Sequence, residues 1–259
     1  MSSQSYIVEL PLPAATNGNG NGNGHAPKLP VLGGELVDAA ALEAEVEPLE
    51  AEDAIAWAFD RFGDDLRVAI SFQKTSSVIV DMAHRLNPQT RFFYVDTGLL
   101  FPETYETRDQ LADRYGIEFE RFAELSLAEQ EERRAANLLG PGQDGCCADR
   151  KVELMRTALS DVSCWVSGIR RVDSDTRANA PKFSWDERFG LWKLNPLADW
   201  DEKRVWNYIK DHHVPYNLLH DQGYPSIGCM PCTTAVTAGG DERDGRWAGT
   251  DRTECGIHG

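Results

Sequence analysis

The six cysteines are the residues of this 259-residue chain with the most chemistry to offer. Four form two close pairs, the adjacent Cys146 and Cys147 and the C-x-x-C of Cys229 and Cys232. Four thiolates suit a structural zinc ion or an iron–sulfur cluster. Adjacent side chains do not easily reach one metal ion, whereas a cluster offers them separate irons. The vicinal pair therefore favours a cluster, and a redox dithiol beside unrelated thiols is the minor alternative.

The remaining two cysteines have different surroundings. Cys255 stands alone in E-C-G-I-H, and a thiolate there would be a competent nucleophile. Cys164 lies in the apolar run V-S-C-W-V-S and is expected to be a small buried residue of a strand. The N-terminus lacks a basic region followed by an apolar core, which predicts no secretory signal. Metal binding or catalysis is therefore expected rather than a disulfide framework, in a cytoplasmic protein.

The formal net charge of −16 bounds the choice of partners. Such a surface repels nucleic acid and anionic membranes, so neither is expected as a partner. No apolar run approaches the ~20 residues that span a bilayer. An anionic ligand would have to be held by a local cluster of Arg and Lys against the overall field. Clustered basic residues are therefore the informative ones.

Strands and helices alternate along the part of the chain that must position these groups. Apolar spacing predicts strands at 66–71, 91–96, 117–122 and 164–168, and helices at 51–62, 76–85 and 102–115. Farther on it predicts a hairpin or ragged edge at 182–194, a helix at 201–211 capped by Asp199 or Asp201, and an extended segment at 214–222. This order indicates an α/β fold, a mostly parallel sheet flanked by helices.

Low complexity marks off the N-terminal region. Residues 17–24 are a pure N-G repeat that cannot form a core, and an acidic, Ala-rich stretch follows. We expect residues 1–48 to be a disordered tail and 49–259 to be a single domain. Glycines near the end of the chain predict a mobile C-terminal arm from about residue 236.

The first informative loop follows the first predicted strand. Hydroxyls and backbone N–H groups at a helix start suit an anion, and a lysine adds charge there. It lacks the glycines of a Walker A loop, and a plain helix N-cap is the equal alternative. The candidate residues are Ser71, Gln73, Lys74, Thr75 and Ser76.

Two more loops fall at predicted strand ends, where ligands of parallel sheets bind. Asp96 and Thr97 could bind a ribose, although an Asx turn is the stronger local interpretation. Arg170 and Arg171 leave the fourth strand with Arg177 close behind, and arginines can hold phosphate bidentately. The alternative for that pair is a solvated turn.

Several motifs in order resemble a known family over about residues 50–259. These are C-C-A-D-R-K, G-I-R-R, V-P-Y-N-x-L-H-D-Q-G-Y-P-S-I-G-C-M-P-C-T and E-C-G-I-H. They are similar to assimilatory adenylyl-sulfate (APS) reductases, the iron–sulfur branch of the phosphoadenylyl-sulfate (PAPS) reductase family. The resemblance implies an adenine-nucleotide α-hydrolase-like sheet, related to PP-loop ATPases, and a [4Fe–4S] cluster on Cys146, Cys147, Cys229 and Cys232. PAPS-specific members lack the two cysteine pairs, which favours APS.

The family chemistry implies roles for the remaining residues. Cys255 would attack the sulfur of APS, expel AMP and form an S-sulfonate, from which reduced thioredoxin would release sulfite. Arg243 and Arg246 match the family's substrate-binding E-R-x-G-R motif. The residues that the resemblance adds to the substrate site are Arg150, Lys151, Arg243, Arg246 and His258. Lys151 would couple the cluster to the sulfate, while Arg243, Arg246, Arg252 and His258 are candidates for lowering the pKa of Cys255.

Three other hypotheses remain. The same enzyme could act on PAPS, which needs a pocket for the 3′-phosphate. A tRNA thiolase-like protein would need an ATP pyrophosphate loop and a basic RNA surface, which the S-F-Q-K loop and the −16 charge disfavour. A non-enzymatic zinc module would leave E-C-G-I-H unexplained. Oligomeric state is open, with a homo-oligomer as one option.

Overall fold

A computed structural model of the chain describes residues 30–123, 151–237, 242–247, 254 and 256–258. The predictions for residues 1–29 lie outside this part. The same holds for Cys146, Cys147, Arg150 and Cys255.

The described residues form eight strands and six helices. The strands are β1 (Val31–Leu32), β2 (Glu35–Leu36), β3 (Leu66–Ala69), β4 (Arg91–Asp96), β5 (Glu120–Ala123), β6 (Cys164–Val166), β7 (Phe183–Asp186) and β8 (Leu191–Leu194). The helices are α1 (Ala39–Val46), α2 (Ala51–Phe62), α3 (Lys74–Leu86), α4 (Pro102–Tyr115), α5 (Glu153–Ala158) and α6 (Glu202–His212).

Six of the strands make one sheet, in the order β5-β4-β3-β6-β8-β7. All neighbours are parallel except β7, which pairs antiparallel with β8 at one edge. The predicted α/β class, a mostly parallel sheet flanked by helices, is confirmed. The chain moves outward from β3 through β4 to β5 and then returns to place β6 on the other side of β3. That reversal creates a switch point at the carboxyl ends of β3 and β6, where open α/β sheets bind ligands.

Both faces of the sheet are covered, and the alternation of side chains along β4 shows how. Phe92 packs into the larger core with α2, α3 and α6, whereas Phe93 points to the opposite face. There it meets Trp165 and Met155, from β6 and α5. Successive residues of a strand point to opposite faces, so adjacent phenylalanines serve two cores. Cys164 of β6 is fully buried, as predicted, and burial raises the pKa of its thiol.

The predicted helices at 51–62 and 102–115 and the strand at 91–96 are confirmed to the residue. The predicted hairpin at 182–194 is β7 and β8, and α6 begins after Asp201, whose carboxylate accepts from the Arg204 backbone N–H at 2.7 Å. β3 and β6 end before the predicted 71 and 168, whereas β5 begins after the predicted 117 and ends just beyond 122. The expectation of an extended 214–222 is wrong, because Asn217 caps a 3-10 turn at Leu218–Gln222.

Residues 30–48, which the sequence analysis assigns to the tail, contain β1, β2 and α1. Helix α1 buries Leu42 and Val46 in the larger core, and Trp192 donates from Nε1 to the Val31 carbonyl at 2.7 Å. Helix α1 has only a narrow apolar stripe, which its Ala-rich composition makes hard to recognise in the sequence. Within the described residues, no helix is long and apolar enough to cross a bilayer.

Candidate active site

A cavity opens at the switch point, between the carboxyl ends of β3, β4 and β6. Its walls come from the loop before α3, from the segment at residues 225–228, and from the C-terminal pieces at 242–247 and 257–258. Cationic groups dominate its charged lining, in a chain whose net charge is −16. These cations are Lys74, Lys151, Arg170, Arg177, Arg243 and Arg246. The cavity is therefore a local positive field suited to an anion.

The loop between β3 and α3 forms the floor. Ser71, Gln73, Lys74 and Thr75 line the cavity, whereas Ser76 does not. The Ser76 hydroxyl accepts from the Gln73 N–H at 3.1 Å and donates to the Gln73 carbonyl at 2.9 Å, which explains why α3 begins before residue 76. The N-cap is Gln73 rather than Thr75 or Ser76, and Ser76 completes its capping box, whereas the other candidates face the cavity.

The end of β6 passes close to this loop at Gly168. A Cβ on Gly168 would lie 3.0 Å from the Thr75 hydroxyl, so a side chain there would require Thr75 to shift slightly. Gly168 thus allows the ends of β3 and β6 to close around one cavity.

A histidine fixes the first N–H of α3. His220 Nε2 accepts from the Lys74 backbone N–H at 3.2 Å, and Nδ1 lies 2.8 Å from the Tyr224 carbonyl. A neutral ring with its proton on Nδ1 satisfies both bonds. Burial, followed by the charge of Lys74, lowers the pKa of His220 to about 4. The helix start is therefore held by a neutral imidazole.

Lys74 and Arg170 share carboxylates from distant segments. Lys74 Nζ lies 2.6 Å from Glu242 and 2.8 Å from Glu202. Arg170 is fully buried and pairs at 2.9 to 3.0 Å with Asp173, Glu202 and Glu242. Burial raises the pKa of Glu242. The C-terminal piece at 242–247 is thereby tied to the loop before α3.

Besides Ser76, three described residues that the sequence offered for the substrate do not line the cavity. Arg171 pairs with Glu47 beyond α1 at 2.6 Å and donates to the Ala180 carbonyl. Asp96 accepts from the Gly98 N–H at 2.9 Å and pairs with Arg121 at 2.8 Å, so the Asx turn is the arrangement found. Arg171 and Asp96 are therefore engaged in ion pairs outside the cavity. Thr97 lies against a cysteine instead.

The C-x-x-C forms a tight turn beside the cavity. Cys229 caps a 3-10 turn at Met230–Cys232, and the Met230 N–H donates to the Leu99 carbonyl at 2.7 Å. The Thr97 hydroxyl lies 3.2 Å from Cys229 Sγ. A Cβ on Gly228 would overlap the Arg246 guanidinium, which contacts Ser226 Oγ and the Ile227 carbonyl. Glycine there lets Arg246 cross the backbone that leads into the turn.

The described half of the predicted ligand set fits a thiolate-bound metal centre. Cys229 and Cys232 lie on a single turn, and the Thr97 hydroxyl can donate to Cys229. Among the described residues, no three His, Cys, Asp or Glu side chains converge as a metal site. The other two cysteines, Cys146 and Cys147, lie outside that part of the chain.

The end of the chain closes the wall over β6 and β8. Glu254 pairs with Arg177 at 2.9 Å and with Arg243 at 3.0 Å. Ile257 packs against the smaller core, and the His258 ring stacks on Trp165, with centroids 5.7 Å apart and planes 6° from parallel. Ile257 and His258 therefore line the cavity, and Glu254 pairs with two of its arginines.

Sequence reasoning missed several side chains at this wall. Trp165 and Lys193 lie in strands whose sequences indicate only hydrophobic core. Glu242 and Glu254 are acidic, whereas the search for an anion site considered basic residues. A lysine inside L-W-K-L, a strand buried throughout, was the one available signal. Arg177, which follows Arg170 closely in the sequence, lines the cavity although the sequence did not assign it to the site.

Comparison with known proteins gives a consistent family. Residues 65–235 match the phosphoadenosine phosphosulfate reductase domain. The chain is 45% identical to an adenosine 5'-phosphosulfate reductase of Salinibacter ruber, over 85% of this chain and 88% of that protein. It is 40% identical to a phosphoadenosine 5'-phosphosulfate reductase of Gloeobacter violaceus, over 88% and 97%. The crystal structure of a Candida auris PAPS reductase in a phosphate complex has a TM-score of 0.64 and 28% identity, over 74% of this chain and 94% of that one.

Proposed function

The chain belongs to the phosphoadenosine phosphosulfate reductase family, and from this premise we propose that it reduces adenylyl sulfate to sulfite and AMP. The observation that carries the proposal is the cationic cavity at the switch point, which is lined by Ile257 and His258 shortly after Cys255 in the sequence. APS bears a phosphate and a sulfonyl group in series, and each needs compensating charge. The name of the Salinibacter ruber relative supports this substrate.

The cavity offers two groups of cations for the two anionic parts of APS. Lys74 and the loop before α3 lie at the floor, where backbone N–H groups and a helix N-terminus favour a phosphate. Lys151, Arg243 and Arg246 lie toward the C-terminal wall, beside the ring of His258. We assign this second group to the sulfonyl end, because charge on a transferring group is stabilised by fixed cations.

The chemistry then needs a nucleophile and a reductant. The Cys255 thiolate attacks the sulfur, the bond from sulfur to the AMP phosphate oxygen breaks, and AMP leaves with the electron pair. A thioredoxin thiolate next attacks Cys255 Sγ and expels sulfite, and its second thiol resolves the mixed disulfide. The two electrons come from the thioredoxin dithiol, which is oxidised. The Arg243 guanidinium, which pairs with Glu254 next to Cys255 in the sequence, favours the thiolate.

Cys146, Cys147, Cys229 and Cys232 would hold a [4Fe–4S] cluster in this scheme. When bound, the cluster would supply electrostatic and structural support to the site. Residues around the C-x-x-C turn prepare this site. Thr97 orients Cys229, and the absence of a side chain at Gly228 allows Arg246 to lie next to the turn. A chain with six cysteines that must stay reduced suits the cytoplasm, and we place the reaction there.

Mass spectrometry of the C-terminal peptide tests the proposal. The protein, prepared without oxygen, is incubated with APS or with PAPS in the absence of thioredoxin. We expect a sulfonate adduct on Cys255 with APS, none in Cys255→Ser, and an unchanged adduct in the matched control Cys164→Ser. No adduct with either nucleotide, on protein with full iron content, would remove Cys255 from the mechanism.

PAPS is the second candidate substrate, because the Gloeobacter violaceus relative bears that name at 40% identity. The same experiment separates the two. An adduct that forms with PAPS as fast as with APS would move the chain to PAPS reduction, and a strong preference for APS would exclude it.

A further inference from the structure

Lys193 and His258 form a close pair, of which His258 lines the cavity and Lys193 lies behind it. Lys193 lies in the middle of β8, only 9% exposed, and its Nζ is 3.2 Å from His258 Nδ1. The same ammonium lies 4.8 Å from the centroid of the Trp165 ring, on which the imidazole stacks. Three elements of distant sequence therefore meet here: β6, β8 and the terminal segment.

The pair cannot carry two positive charges at this distance in a desolvated place. Burial lowers the pKa of Lys193 to about 8, and burial together with Lys193 lowers the pKa of His258 well below its ordinary value. Near neutral pH the lysine is therefore the cation and the histidine is neutral. The other charged groups facing the pair are Lys151, Arg177, Asp186, Arg188, Arg243 and Glu254.

An ammonium has three donors and no acceptor, so Nδ1 of His258 must accept from Lys193. A neutral imidazole carries one proton, and that proton is then on Nε2. An Nε2–H group of a ring that lines the cavity can donate to an anionic oxygen, but it cannot act as a base. The pair thus determines what His258 can do.

We propose that Lys193 is a positioning residue that holds His258 as a neutral hydrogen-bond donor from Nε2 toward an anionic oxygen in the cavity. The oxygen belongs to the sulfonyl group or the phosphate of the substrate, so this inference rests on the proposed function. Trp165 fixes the plane of the ring, and Lys193 fixes its tautomer. Neither residue needs to touch the substrate.

Lys182 shows what a purely structural buried lysine looks like in the same hairpin. It is 1% exposed, and its Nζ donates to the Leu49 carbonyl at 2.6 Å and pairs with Asp199 at 3.1 Å. Its partners are an acceptor and a carboxylate, which neutralise it within the fold. For Lys193 the hydrogen-bond partner described is an imidazole of the cavity wall, which a structural lysine does not require.

The first test is ¹⁵N spectroscopy of the histidine rings in the cluster-loaded enzyme at pH 7, with His258→Gln to assign the signal. We expect an unprotonated Nδ1 and a protonated Nε2 in the wild type. A protonated Nδ1, or a doubly protonated ring, would overturn the inference. This readout needs no substrate and no variant of Lys193, so it remains valid if the proposed function fails or if a Lys193 variant does not fold.

The second test compares Lys193→Met, Lys193→Arg and the matched control Lys182→Met. We expect Lys193→Met to lower kcat with APS by roughly tenfold to a hundredfold, a scale typical of lost positioning, and to let His258 titrate at higher pH. Lys193→Arg should restore most of kcat and move any alkaline loss of activity near pH 8 upward, because arginine keeps its proton. Lys182→Met should leave the His258 signal unchanged. Equal effects of Lys182→Met and Lys193→Met on that signal would reduce Lys193 to a structural residue.

Discussion

The two ends of the parallel strands carry the same kinds of charged residue but use them differently. At the amino ends, Arg67 and Arg91 both pair with Glu120 and Asp161, so two cations and two carboxylates close a ring. At the carboxyl ends, Lys74 and Arg170 depend on Glu202 and Glu242, and more cations line the cavity than carboxylates. At the amino ends the two cations are balanced by two carboxylates, and the network stabilises the fold. At the carboxyl ends the cations outnumber the carboxylates that line the cavity, which leaves a positive field for a ligand.

The largest expected effect is catalytic and lies at the carboxyl ends. Lys151→Ala should lower kcat by roughly a hundredfold to a thousandfold, the usual result of removing a fixed charge beside a transferring group. Iron content should fall far less. The matched control is Lys203→Ala, an exposed lysine of α6. A parallel loss of iron and turnover would make the role of Lys151 structural and would weaken the contrast between the two ends.

The carboxyl ends should also be the pH-sensitive side of the molecule. His220 has a pKa of about 4 in the folded state against about 6.5 in the unfolded chain, so its contribution to stability is complete above pH 6.5. That contribution is lost as the pH falls toward 4, and it amounts to about 2 to 3 kcal/mol. His220→Gln should flatten the wild-type decline in unfolding free energy, measured by urea titration from pH 7 to pH 4.5. An unchanged slope would show that other groups dominate.

The amino ends should respond in stability alone. Arg67→Met leaves Glu120 and Asp161 without a buried partner and should cost about 2 kcal/mol, below the usual figure for a broken buried pair because both carboxylates are partly exposed. Urea unfolding measures this loss. The KM for APS should stay at its wild-type value, and a change in KM would mean that the two ends are coupled.

The smallest effect concerns one missing side chain. Gly228→Ala should displace the Arg246 guanidinium and lower kcat/KM by roughly tenfold. Gly116→Ala is the control, since it adds a Cβ in open space at the end of α4 and strains only the backbone. Equal kinetics of the two variants would show that Arg246 can reposition without loss.

The contrast also explains what could be predicted from the sequence. Strands and helices near β3 follow local patterns, and their predicted positions are close to those found. The roles of Arg170 and Arg171 were harder to predict from the sequence. Arg170 has an extended backbone, and consecutive side chains of such a backbone point in opposite directions. Arg170 therefore reaches the cavity while Arg171 reaches Glu47. A dipeptide alone does not say which member faces inward.

Long-range pairing was beyond local patterns altogether. A lysine at position 193 has no evident role in an apolar strand, and its role is clear only once His258, 65 positions later, lies beside it in the fold. Asp96 looks like a ribose ligand until Arg121 from β5 occupies its carboxylate. In both cases the deciding partner comes from another element, so only the assembled sheet identifies the role.

The link between Glu242 and Lys74 also affects how the protein matures. Glu242 lies 168 positions after Lys74 and 72 after Arg170, whereas the ring at the amino ends is complete once Asp161 has been synthesised. During translation, the ligand-binding side therefore waits for a carboxylate that leaves the ribosome much later. We expect nascent chains stopped before residue 242 to be cut by proteases first around Lys74 and Arg170, while the opposite side of the sheet is already protected.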